Sequence, residues 1–259
     1  SCLWTPTIPS SPIPNAIKAF NDVLKPLGIK KCGIRLDSGD IAYLSRKARK
    51  MLDEAGWENC TITVSNSLDE YLIQDLWMQD AKIDAFGVGE RLITAKSEPV
   101  FGCVYKLVAV EDKDGNIVPK IKISENVGKI TTPHFKKLYR FYGRDTGKAI
   151  ADYLTVYDET VDDSQNLEIF DPDATWKRKE VYHFEARELL VPIYQKGKLV
   201  YKRPGIEEIK KYCAEQVDTL WDEVKRFDNP HNYYVDLSQK LYDIKTELLN
   251  EKNERYEKN

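Results

Sequence analysis

The sequence predicts an α/β fold on a parallel sheet or barrel, followed by a smaller β-rich and helical part. Three observations carry this. Short apolar runs at 31–36, 61–64 and 83–86 each end in a polar or glycine turn. Each turn opens at once onto apolar residues at helical spacing. Beyond residue 131 that rhythm stops and short alternating runs with hairpin turns replace it.

Composition agrees. The chain has 259 residues, 42% of them hydrophobic, enough for a sizeable core. A net charge of −3 with interspersed signs disfavours a nucleic-acid surface, which needs a concentrated basic face. No apolar run approaches the roughly 18 residues of a membrane span. Five scattered cysteines without CxxC spacing and three histidines argue against a zinc site or a disulfide framework. Reduced thiols in a cytoplasmic protein are the expectation.

In order, residues 1–12 show neither helical nor strand period, and three prolines sit among small residues. Pro14 to about Lys25 fits a helix stopped by Pro26 and Gly28. A strand at about 31–36 leads into Asp37-Ser38-Gly39-Asp40, and a helix from Ile41 carries Leu44, Ala48 and Leu52 on one stripe to Gly56. Thr61–Val64 is the second strand, ending in Ser65-Asn66. Ser67 to Glu70 reads as a capping box, with Ser67 as N-cap of a helix burying Leu68, Leu72, Ile73 and Leu76. Ile83–Phe86 is the third strand; Gly87-Val88-Gly89 precedes a short helical piece, Glu90 to Ala95.

Val100–Val110 reads as a strand with Lys106 inside it, either an edge lysine or a phosphate contact. Asp114-Gly115 marks a hairpin turn, with a return strand at Lys120–Ser124. The aromatic and basic run 134–142 fits a half-buried strand, and an apolar stretch follows around Ala149, Leu154 and Val156. Strands are expected at Glu180–Glu185 and Val191–Tyr194, with a hairpin over 195–198. Helices are expected from Ile206 to Lys225 and from Leu237 to about Leu249, and residues 251–259 form a charged, fraying tail.

In a βαβ arrangement all strand C-termini share one face. That brings Asp37, Asn66 and Gly87/Gly89 to one side although they are far apart in sequence. Two carboxylates, hydroxyl and amide groups, Arg35 and a glycine turn there suit a phosphorylated sugar. Gly87-Val88-Gly89 offers backbone N–H groups to phosphate. Asp37 and Asp40 would hold a ribose diol, Mg²⁺ on a pyrophosphate, or both. The alternative is that both aspartates only end the strand and cap the helix. No nucleophile–histidine pair supports acyl transfer, and no residue is assigned as catalytic or as part of a protein-held metal site.

Four segments resemble the successive signatures of the nicotinate phosphoribosyltransferase family: Arg35-Leu36-Asp37-Ser38-Gly39-Asp40, Ser65-Asn66-Ser67-Leu68-Asp69-Glu70, Phe86-Gly87-Val88-Gly89 and Gly102-Cys103-Val104-Tyr105-Lys106-Leu107. Asn229-Pro230-His231-Asn232-Tyr233 and Asp236-Leu237-Ser238 resemble its C-terminal part. The resemblance runs from about Ile13 to about Leu249. It implies a partial irregular α/β barrel of the type II phosphoribosyltransferase kind over 13–130, with a β-rich and helical region over 131–250. It implies phosphoribosyl transfer from phosphoribosyl pyrophosphate to nicotinate, with ATP hydrolysis and Mg²⁺, in a homodimer. The substrate-binding set it implies is Arg35, Asp37, Ser38, Asp40, Ser65 and Asn66. The phosphate-binding set is Gly87, Val88 and Gly89.

Two departures qualify the resemblance. Glu90 stands where relatives often have Thr, and a carboxylate cannot donate to phosphate. Relatives are longer, and their phosphorylated histidine precedes the region matched here, so the chain reads as a C-terminal fragment, inactive alone and poorly soluble. A non-catalytic product and a nicotinamide-type enzyme are the alternatives. Residues 2–12 are expected to be a frame-shifted reading of a family strand. One choice of codons for them, shifted by one base, spells Val-Asp-Thr-Tyr-Asn-Thr-Leu-Lys-Ser.

Overall fold

The protein is described by a computed structural model covering residues 2–4 and 12–257, with side chains from 12 to 251. It forms two compact units, 1–103 and 104–259.

In the first unit β1 (Cys2–Trp4), β2 (Gly33–Leu36), β3 (Thr61–Ser65) and β4 (Ala85–Gly87) form a parallel sheet in sequence order. Registers are Ile34↔Ile62, Leu36↔Val64 and Ser65↔Gly87. Cys2–Trp4 pairs with β2 despite lacking a strand pattern. Residues 5–11 of the aberrant lead-in lie outside the described residues.

The helices are α1 (Pro12–Ala19, continued by a π turn over Phe20–Leu24), α2 (Ile41–Glu54), α3 (Glu70–Met78) and α4 (Glu90–Ile93). The core comes from alternate strand positions and helix stripes: Ile34, Leu36, Ile62 and Val64 meet Ala48, Leu52 and Leu76. Leu36, Leu52, Ile62 and Val64 are all fully buried, each stabilising by about 2 kcal/mol. The opposite sheet face carries Arg35, Thr63, Ser65, Ala85 and Gly87, with Arg35, Ala85 and Gly87 exposed. The sheet is open, so this is part of an α/β layer rather than a closed barrel.

The α3 cap differs from the sequence reading. Asn66 and Ser67 have φ of 94° and 49°. An N-cap needs an extended backbone, so the left-handed turn carries the chain past Ser67. Asp69 (φ −137°) caps α3 instead, accepting from Leu72 N at 2.9 Å.

In the second unit β7 (Lys136–Gly143) and β8 (Ala149–Val156) form an antiparallel pair. β11 (Phe184–Glu188) and β14 (Val235–Leu237) flank it, giving the order β11-β7-β8-β14. Three two-stranded hairpins accompany it: β5–β6 (Ala109–Glu111, Ile117–Pro119), β9–β10 (Leu167–Phe170, Arg178–Val181) and β12–β13 (Tyr194–Gln195, Lys198–Leu199). The helices are α5 (Ile206–Asp218) and α6 (Gln239–Glu257). Phe141, Phe184, Ile169 and Val181 centre one core, and Val156, Leu237 and Leu241 another.

Several boundaries move. The strand expected over Val100–Val110 is confined to Ala109–Glu111, and its return is Ile117–Pro119, not Lys120–Ser124. Apolar content without a pairing partner does not make a strand: Phe101 and Tyr105 are 97% and 94% exposed. The run expected over Glu180–Glu185 breaks at His183, whose φ is 49°. Val191 to Ile193 precede rather than form a strand. Lys196 and Gly197 both have positive φ, the backbone of a type I′ hairpin turn. α5 stops at Asp218 rather than Lys225. Leu237 belongs to β14, and α6 runs on through the expected fraying tail to Glu257; residues 258–259 lie outside the described residues.

Candidate functional site

The C-terminal ends of β2, β3 and β4 lie side by side, because the sheet is parallel and in register. Arg35 lies on the face opposite the core, as do Thr63 and Ser65, its neighbours on β3. Its Nε donates to Ser65 Oγ at 2.8 Å. Ser65 is 4% exposed, so a buried hydroxyl orients the guanidinium and leaves its other N–H groups for an anion. Asp37 continues the alternation of Arg35 and is half-buried at the strand end, with Ser38 Oγ 3.5 Å from its Oδ1.

Asp40 has a local role. Its Oδ1 accepts from Tyr43 N at 2.9 Å, which makes it the N-cap of α2. The turn between Asp37 and Asp40 depends on Gly39, at φ +80°, a conformation that costs an L-residue about 1–2 kcal/mol.

Asn66 is exposed at the end of β3 in left-handed geometry. Gly87 pairs with Ser65, and Gly89 precedes α4, whose first N–H groups lack intrahelical acceptors. Neither glycine is demanded by packing. A Cβ at Gly87 would meet Ser65 Cβ at 3.4 Å, an ordinary contact, and one at Gly89 would meet open space. What their absence of side chains provides is bare backbone at the sheet end. Glu90 is exposed and starts α4.

One organising residue escaped the sequence reading. Asp69 forms an ion pair with Arg91 of α4. The Leu72 N–H, then Arg91, hold its carboxyl below the usual carboxylate range. This pair ties the Asn66–Asp69 turn to the Gly87–Gly89 turn. The signal was the acidic residue before α3 and the basic residue on α4, but no sequence spacing links them.

The second unit holds the three histidines and none of the predicted site residues. His134 is buried, with Nδ1 accepting from Phe135 N at 2.9 Å. His183 Nε2 lies 3.1 Å from Asp145 Oδ1 at an exposed position. His231 lines a cavity of about 530 Å³ with Tyr182 and Trp221. The Asn229–Tyr233 segment is anchored from beneath. Tyr233 OH donates to Asp152 Oδ1 at 2.9 Å, and Asp152 takes two bonds from Arg140, at 2.7 and 2.8 Å. Burial, then Asp152, push the Tyr233 hydroxyl well above its ordinary pKa. Lys106 is exposed and donates to the Lys129 carbonyl at 3.1 Å. Among the described residues no cluster of three or more His, Cys, Asp or Glu side chains is arranged to hold a metal ion. Nor is any helix among them long and apolar enough to cross a membrane.

The family model described as nicotinate phosphoribosyltransferase C-terminal domain matches residues 135–245. A nicotinate phosphoribosyltransferase of Bacillus subtilis is 45% identical over 95% of this chain and 50% of its own length. One from Dictyostelium discoideum is 33% identical over 90% of this chain and 41% of its own length. The crystal structure of human nicotinic acid phosphoribosyltransferase superposes with a TM-score of 0.60 at 25% identity, covering 84% of this chain and 40% of the human one. The chain thus spans about half the length of the curated relatives it matches. Along nearly its whole length the chain is similar to nicotinate phosphoribosyltransferases, and residues 135–245 match the C-terminal domain of those enzymes.

Proposed function

We propose that the chain serves phosphoribosyl transfer from phosphoribosyl pyrophosphate to nicotinate, giving nicotinate mononucleotide and pyrophosphate in cytoplasmic NAD salvage. The observation that carries the proposal is the Arg35–Ser65 contact at the end of the parallel strands, beside bare backbone at Gly87 and Gly89.

The chemistry asked of these residues is binding and orientation. Departure of pyrophosphate leaves positive charge on the ribose carbon, and a sugar held rigidly over the pyridine nitrogen reacts as if intramolecular. Gly87, Val88 and Gly89 present backbone N–H groups to the 5′-phosphate. Arg35, fixed by Ser65, faces the anionic side of the pyridine and phosphoribosyl groups. Asp37, with Ser38 beside it, accepts from ribose hydroxyls, and Asn66 lies within the same strand-end surface. Asp40 contributes through the α2 cap that fixes this turn.

Mg²⁺ and ATP belong to the proposal as partners of the whole reaction. A magnesium ion here would travel with pyrophosphate oxygens and water. No step is assigned to either group. A homodimer is part of the same proposal.

The test is complementation. The chain is co-expressed with the part of the Bacillus subtilis relative that it does not span, and nicotinate mononucleotide is measured by liquid chromatography. Product that falls at least tenfold with Arg35→Met supports the assignment. Absence of product, or product undiminished by Arg35→Met, refutes it.

A further inference from the structure

We infer that Cys32 and Cys60 form a two-thiol modification site, converted to an intramolecular disulfide by a hydroperoxide. The two residues immediately precede β2 and β3, and the parallel register that pairs Gly33 with Thr61 extends back to set Cys32 opposite Cys60. The Cys32 carbonyl accepts from Thr61 N at 3.0 Å and from Thr61 Oγ1 at 3.3 Å, so the backbones are joined at that point. Strands so paired lie about 4.8 Å apart, inside the Cα separation that a disulfide spans.

Side-chain direction agrees. Alternation puts Cys32 on the face of Ile34 and Leu36, and Cys60 on the face of Ile62 and Val64; both are the core face. The two side chains therefore stand next to each other on that face, across the backbones joined at Thr61. Cys60 is also held in place: its N–H donates to the Trp57 carbonyl at 3.0 Å, and Arg49 Nη1 donates to its carbonyl at 2.6 Å. Among the described residues Cys32, Cys60, Cys103 and Cys213 are all free thiols, and the last two are exposed.

The roles of the two sulfurs differ. Cys60 is 1% exposed. Burial, then the neighbouring Cys32 thiol, push its pKa up to about 12. Cys32 is half-buried and is the sulfur a peroxide reaches. Its thiolate attacks the peroxide O–O bond, forming a sulfenic acid and releasing an alkoxide or hydroxide. The Cys60 sulfur then attacks the Cys32 sulfur. The S–S bond forms, the sulfenic oxygen leaves as water, and it carries off the Cys60 proton. Two thiols are oxidised and one peroxide is reduced. Adjacency across the paired strands compensates for the weak nucleophilicity of Cys60. The bond closes the loop 33–59 at the ends of β2 and β3 distal to Asp37 and Ser65.

The test uses the full 259-residue chain, both as given and with Cys2→Ser, Cys103→Ser and Cys213→Ser together. Each is treated with hydrogen peroxide under native conditions, alkylated, digested and mapped by mass spectrometry. The expected result is one linked peptide joining Cys32 to Cys60 in both chains, within monomers on non-reducing gels and reversed by dithiothreitol. A Cys32→Ser chain should leave Cys60 alkylatable only after unfolding. Overoxidation of Cys32 to sulfinic acid with Cys60 still free would overturn the proposal. So would a dominant link to Cys103 or Cys213 in the chain as given, or a linked peptide that forms only in urea.

Discussion

Replacing Asp152 by alanine is the sharpest test of how the C-terminal unit holds its Asn229–Tyr233 segment. Asp152 is 9% exposed and accepts three hydrogen bonds: two from Arg140 and one from Tyr233. Asp152→Ala leaves the guanidinium without its anion and the phenol without its acceptor. Breaking a buried pair from one side costs about 3–5 kcal/mol. The Arg140 side chain is 22% exposed and regains some water, which lowers that part to about 2–3 kcal/mol. The orphaned phenol adds about 1 kcal/mol, for a total of about 3–4 kcal/mol. Hydrogen exchange of the β7 and β8 amides isolates this unit from the other. Arg140→Met with Asp152→Leu should recover at least half the loss, because two apolar groups leave no unpaired charge. A loss under about 1 kcal/mol in the single variant, or a double variant as unstable as the single, would show that the network does not hold the segment.

Four further outcomes are expected. Gly39→Ala places a side chain at φ +80° with its Cβ 3.1 Å from Leu44 Cδ1, and should destabilise the first unit by about 1–2 kcal/mol in urea titrations. Asp40→Ala should cost about 1 kcal/mol through the lost α2 cap while Asp40→Ser costs little; phosphoribosyl pyrophosphate affinity that drops with Asp40→Ser would instead show a carboxylate contact. Burial raises the Asp236 carboxyl from 3.8 to about 6, so the folded state binds its proton more tightly than the unfolded chain. Stability should therefore fall as pH rises from 4 to 6 and then level, by about 3 kcal/mol from this group, and Asp236→Asn should flatten that slope in urea midpoints. Phe101→Ser with Tyr105→Ser removes two side chains more than nine-tenths exposed and should reduce dye binding and aggregation by light scattering; unchanged aggregation would place the sticky surface elsewhere.

The parts of this fold visible in the sequence are those where local signals and tertiary packing agree. The runs ending at Leu36, Val64 and Phe86 become β2, β3 and β4 because each alternates onto one core and each is followed by a helix that covers it. The resemblance of residues 35–40, 65–70 and 86–89 to family signatures named the chemistry, and the parallel register brings those segments together. What was not legible depends on contacts distant in sequence. Ser67 lost the α3 cap to Asp69 because the Asn66–Ser67 turn is left-handed, which no propensity reports. The expected strand at 100–108 is irregular because strand formation needs a partner edge. Asp40 illustrates the remaining ambiguity in turn chemistry: one carboxylate satisfies both the capping and the binding pattern, and its bond to Tyr43 N establishes only the first. Arg35 is the opposite case. As an isolated basic residue within an apolar run it gave no local reason for its place, and only the Ser65 hydroxyl on the neighbouring strand explains why it is fixed on the face opposite the core. A guanidinium at the ends of parallel strands is therefore read best from pairs of strands, since the hydroxyl that orients it lies about thirty positions away.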